Sequence, residues 1–211
     1  IYDHARREVA HFEKAVVAIE GLSRAELGHL RLAVTPSVAA SVLPRVICEF
    51  TAGHPQAQID LRDMDSASIA RAMRREQADI GIGTLPETDG LLRTELFRDS
   101  FGVVCRTDHP LAQDWDQLTW NDMQDHRFIA NGLCHLISDP DFAPILGASR
   151  MMVPNSASLL ALVRGGVGIV LLPMLAVLDL DAELSFLPLA DANAVRVVHM
   201  VSRPEMQLMP A

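Results

Sequence analysis

Apolar residues at Tyr2, Ala5, Val9, Phe12, Val16 and Ile19 open the chain in steps of three and four, a heptad seam on one face of a helix. Arg6, Arg7, Glu8, Glu13 and Lys14 lie off the seam, and Gly21 suits a helix end. Such a helix either packs on its own domain or pairs with a second chain. Its length and its place ahead of the first strand favour a pairing helix over residues 1–28. The period then changes, and Leu30, Leu32 and Val34 alternate as in a strand. The stretch TPSVAASVLPRVICEF, Thr35 to Phe50, passes from small residues through Pro44 into an apolar helical face made by Val46, Ile47 and Phe50. QIDLRDM reads as a second strand. A helix follows from a capping Ser66 to Arg75 with Ile69, Ala70 and Met73 inward, and ADIGIGT reads as a buried third strand. This strand–helix order predicts a parallel sheet with right-handed crossovers.

LFRDSFGVVCRTDHPLA is a longer strand that is expected to leave this first lobe for a second. The pattern then repeats: strand RFIA, a helix near Asp141 to Leu146, strand RMMVP, a helix from Ser156 to Arg164, and strand GIVLLP. LSFLPL and VRVVHMVSR read as late strands, the first crossing back. The expected organisation is therefore α/β, with a helix over 1–28, one lobe from 29–98 and 183–211, and a second lobe over 99–182.

Bulk properties narrow the functions open to such a chain. With 49% hydrophobic residues in 211, a packed core is expected and disorder is not. A net charge of −9 makes the chain by itself a poor binder of nucleic-acid phosphates. Three cysteines, Cys48, Cys105 and Cys134, fit reduced thiols in a cytoplasmic protein rather than a disulfide scaffold. No apolar run is long enough to span a bilayer, and no secretory pattern opens the chain. It begins at Ile1 inside the helical pattern, so the start is expected to be a cut.

Catalytic signatures are scarce: neither a G-x-S-x-G elbow nor a Walker A loop occurs. Gly165, Gly166 and Gly168 follow a helix and precede a strand, the reverse of a dinucleotide loop, and predict a tight turn. The eight histidines show no metal-ligand spacing, and the adjacent pair Cys134–His135 makes a poor site alone. Neither a metal, a cofactor nor an enzymatic activity is expected. Small polar residues do gather at strand-to-helix junctions: Thr35 and Ser37 with Pro36 between them, Ser66, Thr84, Asn131 with Gly132, and Ser156. Each serine suits an ordinary helix cap. Taken together they suit an anion held beyond the carboxyl ends of strands.

HARREVAHFEKAVVAIEGLSRAELGHLRLAV, LPRVICEFTAGHPQAQIDL, ADIGIGT, LFRDSFGVVCRTDHPLA and SASLLALVRGGVGIVLLP, in this order, resemble the LysR-type transcriptional regulators. The resemblance runs from that family's linker helix through its effector-binding domain. It implies two Rossmann-like subdomains joined by two crossover strands, a type 2 periplasmic-binding-protein-like fold holding a small effector, often a carboxylate. The family's effector contacts fall here on Thr35, Pro36, Ser37, Ser66 and Thr84, opposed by Asn131, Gly132 and Ser156. Phe97 and Phe101 either line the pocket or pack the hinge. The resemblance also implies a homodimer or homotetramer and DNA contact through an N-terminal winged helix-turn-helix, for which these 211 residues hold no counterpart. Cys134 sits where peroxide-sensing members carry a reactive cysteine, but no resolving cysteine follows it. A solute-binding protein for transport would share the fold, yet has no use for the N-terminal heptads.

Overall fold

In the computed structural model, residues 29–113 and 118–204 are described. The pairing helix expected over 1–28 lies outside them. The chain divides by its contacts into two units, described residues 29–98 with 197–204, and residues 99–196.

In the first unit β1 (His29–Val34) is hydrogen-bonded in parallel to β2 (Gln58–Asp63) on one side and to β3 (Ile80–Gly83) on the other. The crossover helices of a parallel sheet cover the faces of its central strand, so Ala33 and Val34 are both buried although the sequence alternation allows only one of them. β2 is an edge strand and mostly exposed. β7 (Val195–Ser202) closes the other side, antiparallel to β3. Pro36 starts a short helix α1 (Pro36–Ser41), which runs almost directly into α2 (Leu43–Gly53). The small residues expected to lead into the helix are thus helical themselves. Proline at the first helical position gives up only an N–H that would have no partner there. α3 (Ser66–Arg74) buries Ile69, Ala70, Ala72 and Met73 against Ala33, Leu85 and Val201.

In the second unit the far half of β4 (Leu92–Arg106) lies between β5 (Val170–Pro173) and β6 (Leu184–Pro188), antiparallel to both. The expectation that LSFLPL crosses back at 183 is therefore corrected. Leu187 pairs with Val103 and is buried in the second unit's core, and the return is made by β7 after Arg196. RFIA and RMMVP, read as strands, form only single parallel bridges, Phe128 with Ile169 and Ala130 with Met152. One core face joins Trp120, Phe128 and Phe142, the last two edge to face at 5.6 Å. The other packs Val104, Val170 and Leu172 with Leu159 and Val163 of α5 (Ser156–Arg164). A shorter α4 (Phe142–Ala148) precedes it. The Gly165–Gly166 turn forms as expected: Gly166 takes φ 73°, with its N–H on the Val163 carbonyl and the Val167 N–H on the Leu162 carbonyl.

Candidate functional site

The polar residues of the first unit gather where its parallel strands end. Thr35 follows β1; its N–H donates to the Ile82 carbonyl at 3.0 Å and its own carbonyl accepts from Ala39 in α1. Its side chain does not cap α1, and the residue is only 4% exposed. Gly83 ends β3 beside it. A Cβ placed on Gly83 would lie 2.9 Å from Thr35 Cγ2 and 3.3 Å from Ser66 Oγ, so this glycine is the gap through which the two side chains approach. Ser66 is the first residue of α3. Its expected cap role is corrected: Asp65 is the N-cap, its carboxylate accepting from the Ser68 N–H at 2.8 Å. Pro36 is exposed, and Ser37 is half-buried in the first turn of α1.

Three atoms around Gly83 are buried without a hydrogen-bond partner among the described residues. They are Thr35 Oγ1, Oγ1 of the adjoining Thr84, and Nδ1 of His199, which stands opposite Gly83 on β7. Native interiors pair nearly all buried polar atoms. A buried donor or acceptor left unpaired costs about 1–3 kcal/mol. His199 is missing from the sequence-based candidates. Burial, then the charge of Arg93, push its pKa down and so favour the neutral ring. Its signal is a lone polar residue facing inward in the apolar run VVHMV.

In the second unit the same expectation meets a different outcome. Asn131 is buried, but its amide belongs to the fold. Nδ2 donates to the Leu171 carbonyl at 2.9 Å, and Oδ1 accepts from the Leu133 N–H at 2.8 Å. Gly132 is exposed with open space at its Cα. Ser156 begins α5 half-buried, while Asn155 caps that helix through the Ser158 N–H. Cys134 is buried and accepts the Asn131 N–H, and burial raises its thiol pKa. Burial likewise pushes Cys105 up to about 11. Neither environment activates a thiolate. Phe101 lies in the second unit's core, opposite Pro173, and Phe97 is buried as well.

A second feature that sequence reading missed is the pair Asp99–Arg196, with side chains 0% and 1% exposed. Arg196 Nε and Nη2 donate to one carboxylate oxygen at 3.0 and 2.6 Å, and the other oxygen accepts from the Leu175 N–H at 3.2 Å. Burial outweighs Arg196 and raises the Asp99 pKa. The two residues are 97 apart in sequence and stand at the last positions of the second unit on its two connecting strands. Among the described residues no cluster of three His, Cys, Asp or Glu suits a metal ion, and no helix is long and apolar enough to cross a membrane.

Residues 23–211 match the family model of the LysR substrate binding domain. The transcriptional activator protein LysR of Escherichia coli K12 is 28% identical over 189 residues, 87% of this chain and 60% of that protein. A probable HTH-type transcriptional regulator, LrrA of Synechococcus elongatus, is 27% identical over 163 residues, 75% of this chain and 54% of that protein. The chain thus spans little more than half the length of these curated relatives. Among solved structures, the BenM effector binding domain with its effector benzoate superposes with a TM-score of 0.67 at 25% identity, covering 83% of each chain.

Proposed function

The chain belongs to the LysR substrate-binding-domain family, and on that premise we propose that it senses a small anionic effector for a DNA-binding transcriptional regulator. The observation that carries this reading is the pair of buried threonine hydroxyls at the strand ends around Gly83, Thr35 and Thr84, that have no partner among the described residues. A hydroxyl donates one hydrogen bond and suits a carboxylate oxygen. The first turn of α3, with Ser66, adds N–H groups and a favourable dipole. The benzoate held by the BenM domain is a carboxylate of this class. Ser37 belongs to the same group of contacts, and Gly132 and Ser156 remain the second unit's candidates.

The regulator's other partners follow the same reading. The heptad seam of residues 2–19 would join copies of the chain into a dimer or tetramer, DNA would be contacted by a separate domain, and the setting would be the cytoplasm. The named relatives are transcriptional regulators, which favours this reading over a transport receptor or an enzyme.

A thermal-shift screen with benzoate, other aromatic acids, aliphatic carboxylates and amino acids tests the proposal. A ligand at a hundred times its Kd adds about 2.7 kcal/mol of stability. A rise in melting temperature that Thr35→Val or Ser66→Ala abolishes supports the site. A rise that neither substitution changes moves the ligand elsewhere. Gly132→Val and Ser156→Ala in the same screen test the second unit's share.

A further inference from the structure

The first unit holds a cavity of about 210 Å³ away from the threonine hydroxyls. Its wall includes Arg31 of β1, Arg62 of β2, Ser68 and Arg71 of α3, and Arg75 just after it, beside apolar residues of β1 and α3. No carboxylate lines it, although the chain as a whole carries a net charge of −9.

Acidic residues do touch two of these arginines, from outside the wall. Asp79 takes the Arg31 N–H, Nε at 3.1 Å and Nη2 at 2.7 Å, and Asp60 takes Arg62 Nη2 at 2.5 Å. Those bonds fix the guanidiniums without filling the space in front of them. Arg71 Nη2 donates to Ser68 Oγ at 2.7 Å, and the Ser68 hydroxyl is in turn bonded to Asp65. The Arg75 side chain has no hydrogen bond or ion pair with any described residue. Arg71 and Arg75 are one helical turn apart, where like charges repel by about 0.2–0.5 kcal/mol. The position at the end of α3 favours cations through the helix dipole. That accounts for Arg71 and Arg75, but not for Arg31 and Arg62 arriving at the same space from two strands.

We propose that this cavity binds a compact, multiply charged oxyanion of the phosphate or phosphate-monoester class, as a second ligand independent of the effector. Arginine forks match such oxygens with paired donors and keep their charge at any physiological pH. The volume lies below the ~300–1,000 Å³ typical of drug-sized ligand sites, which selects a small anion. The site is distinct from the hydroxyl group around Gly83. Ser66 begins α3, whereas Arg71 and Arg75 stand at its far end. Bound oxygen atoms would sit between guanidiniums already held by Asp79 and Asp60 and would offset the repulsion between Arg71 and Arg75. The inference does not rest on the proposed effector function.

The test is titration of the chain with inorganic phosphate and with pyrophosphate, at an ionic strength held constant with sodium chloride. Saturable binding is expected, tighter for pyrophosphate. It should weaken at least tenfold in the double variant Arg71→Gln/Arg75→Gln and persist in Thr35→Val. Both arginines are on the surface, and circular dichroism verifies that the double variant is folded. Absence of saturation in the parent chain, or equal binding by the double variant, overturns the proposal. So does preferential binding of a short DNA duplex that the double variant loses, since the arginines would then read a phosphate backbone. The carboxylate thermal shift should be unchanged in the double variant, so failure here and failure of the effector reading are distinguishable.

Discussion

The helices α3 and α5, SASIARAMR and SASLLALVR, one in each unit, share their first three residues and their final arginine. Both are capped by a residue ahead of the first serine, Asp65 or Asn155, which accepts the N–H three positions on. Both end with the same pair of backbone bonds around a residue at positive φ, Glu76 at 56° and Gly166 at 73°. The surroundings of the two helices differ. Near the start of α3, Thr35 and Thr84 keep buried hydroxyls without partners among the described residues. In the other unit the expected polar residue, Asn131, is taken up by the backbone of its own loop and of β5. Equivalent modules therefore serve different ends. One leaves hydroxyls without a partner among the described residues, and the other uses its polar side chain to hold a loop.

The sharpest way to break this contrast is Asn131→Ala. It leaves the Leu171 carbonyl and the Leu133 N–H without their side-chain partner inside the second unit. The expected loss is about 2–3 kcal/mol, read as a lower urea midpoint at unchanged m-value. A loss below half a kcal/mol would mean that Asn131 is free to face a ligand after all. Thr35→Val should act in the opposite direction. It replaces an unpaired buried hydroxyl with a methyl of similar shape, so the ligand-free chain should gain about 1 kcal/mol while its carboxylate response disappears. Destabilisation of the ligand-free chain by this substitution would show that the hydroxyl serves the fold.

Much of the fold was legible because period and burial coincide. HLRLAV, QIDLRDM and ADIGIGT became strands, and the Ile69–Met73 face became the inner side of α3. Strand partners were not legible. LSFLPL alternates in the same way whichever sheet receives it, and only the packing of Leu187 assigns it to β4. The site was legible as positions rather than as states. Nothing local separates Asn131, which ends satisfied, from Thr35, which does not, because the deciding partner is a carbonyl 40 residues away. Asp99 and Arg196 escaped for the same reason: Asp99 stands beside Arg98 in a strand with several charges, Arg196 is a lone charge in an apolar strand, and only the fold brings the two together.

The two caps can be separated by acid. Replacing either cap with alanine should cost about 1 kcal/mol at neutral pH. The Ser68 N–H, then the Ser68 hydroxyl, hold the Asp65 carboxyl below its usual range. A carboxyl depressed in the folded state contributes stability above its unfolded pKa, about 4, and loses it as pH falls through the folded value. The cost of Asp65→Ala should therefore vanish in strong acid. Asn155 does not titrate, so the cost of Asn155→Ala should hold across the same range. Denaturant titrations at pH 7, 4 and 2.5 read the difference, and parallel pH profiles for the two variants would remove the carboxylate from the capping account.

The smallest expected effect concerns the two helix ends. Glu76 has a Cβ in the left-handed region, where an L residue pays about 1–2 kcal/mol. Glycine occupies that region freely but gives up about 0.5–1 kcal/mol of backbone entropy. The balance predicts that Glu76→Gly stabilises by roughly half a kcal/mol and Gly166→Ala destabilises by a similar amount. The surroundings should not interfere. Glu76 is exposed, and a Cβ on Gly166 would meet only Arg106 Cδ, at 3.8 Å. Because the hydrogen bonds at the two ends are the same, opposite signs would show that φ alone separates them. Equal signs would mean that the Glu76 carbonyl, which accepts Arg31 Nη1 at 2.8 Å, fixes the turn at α3 regardless of its side chain, and that the walls of the arginine cavity are stiffer than the helix end they adjoin.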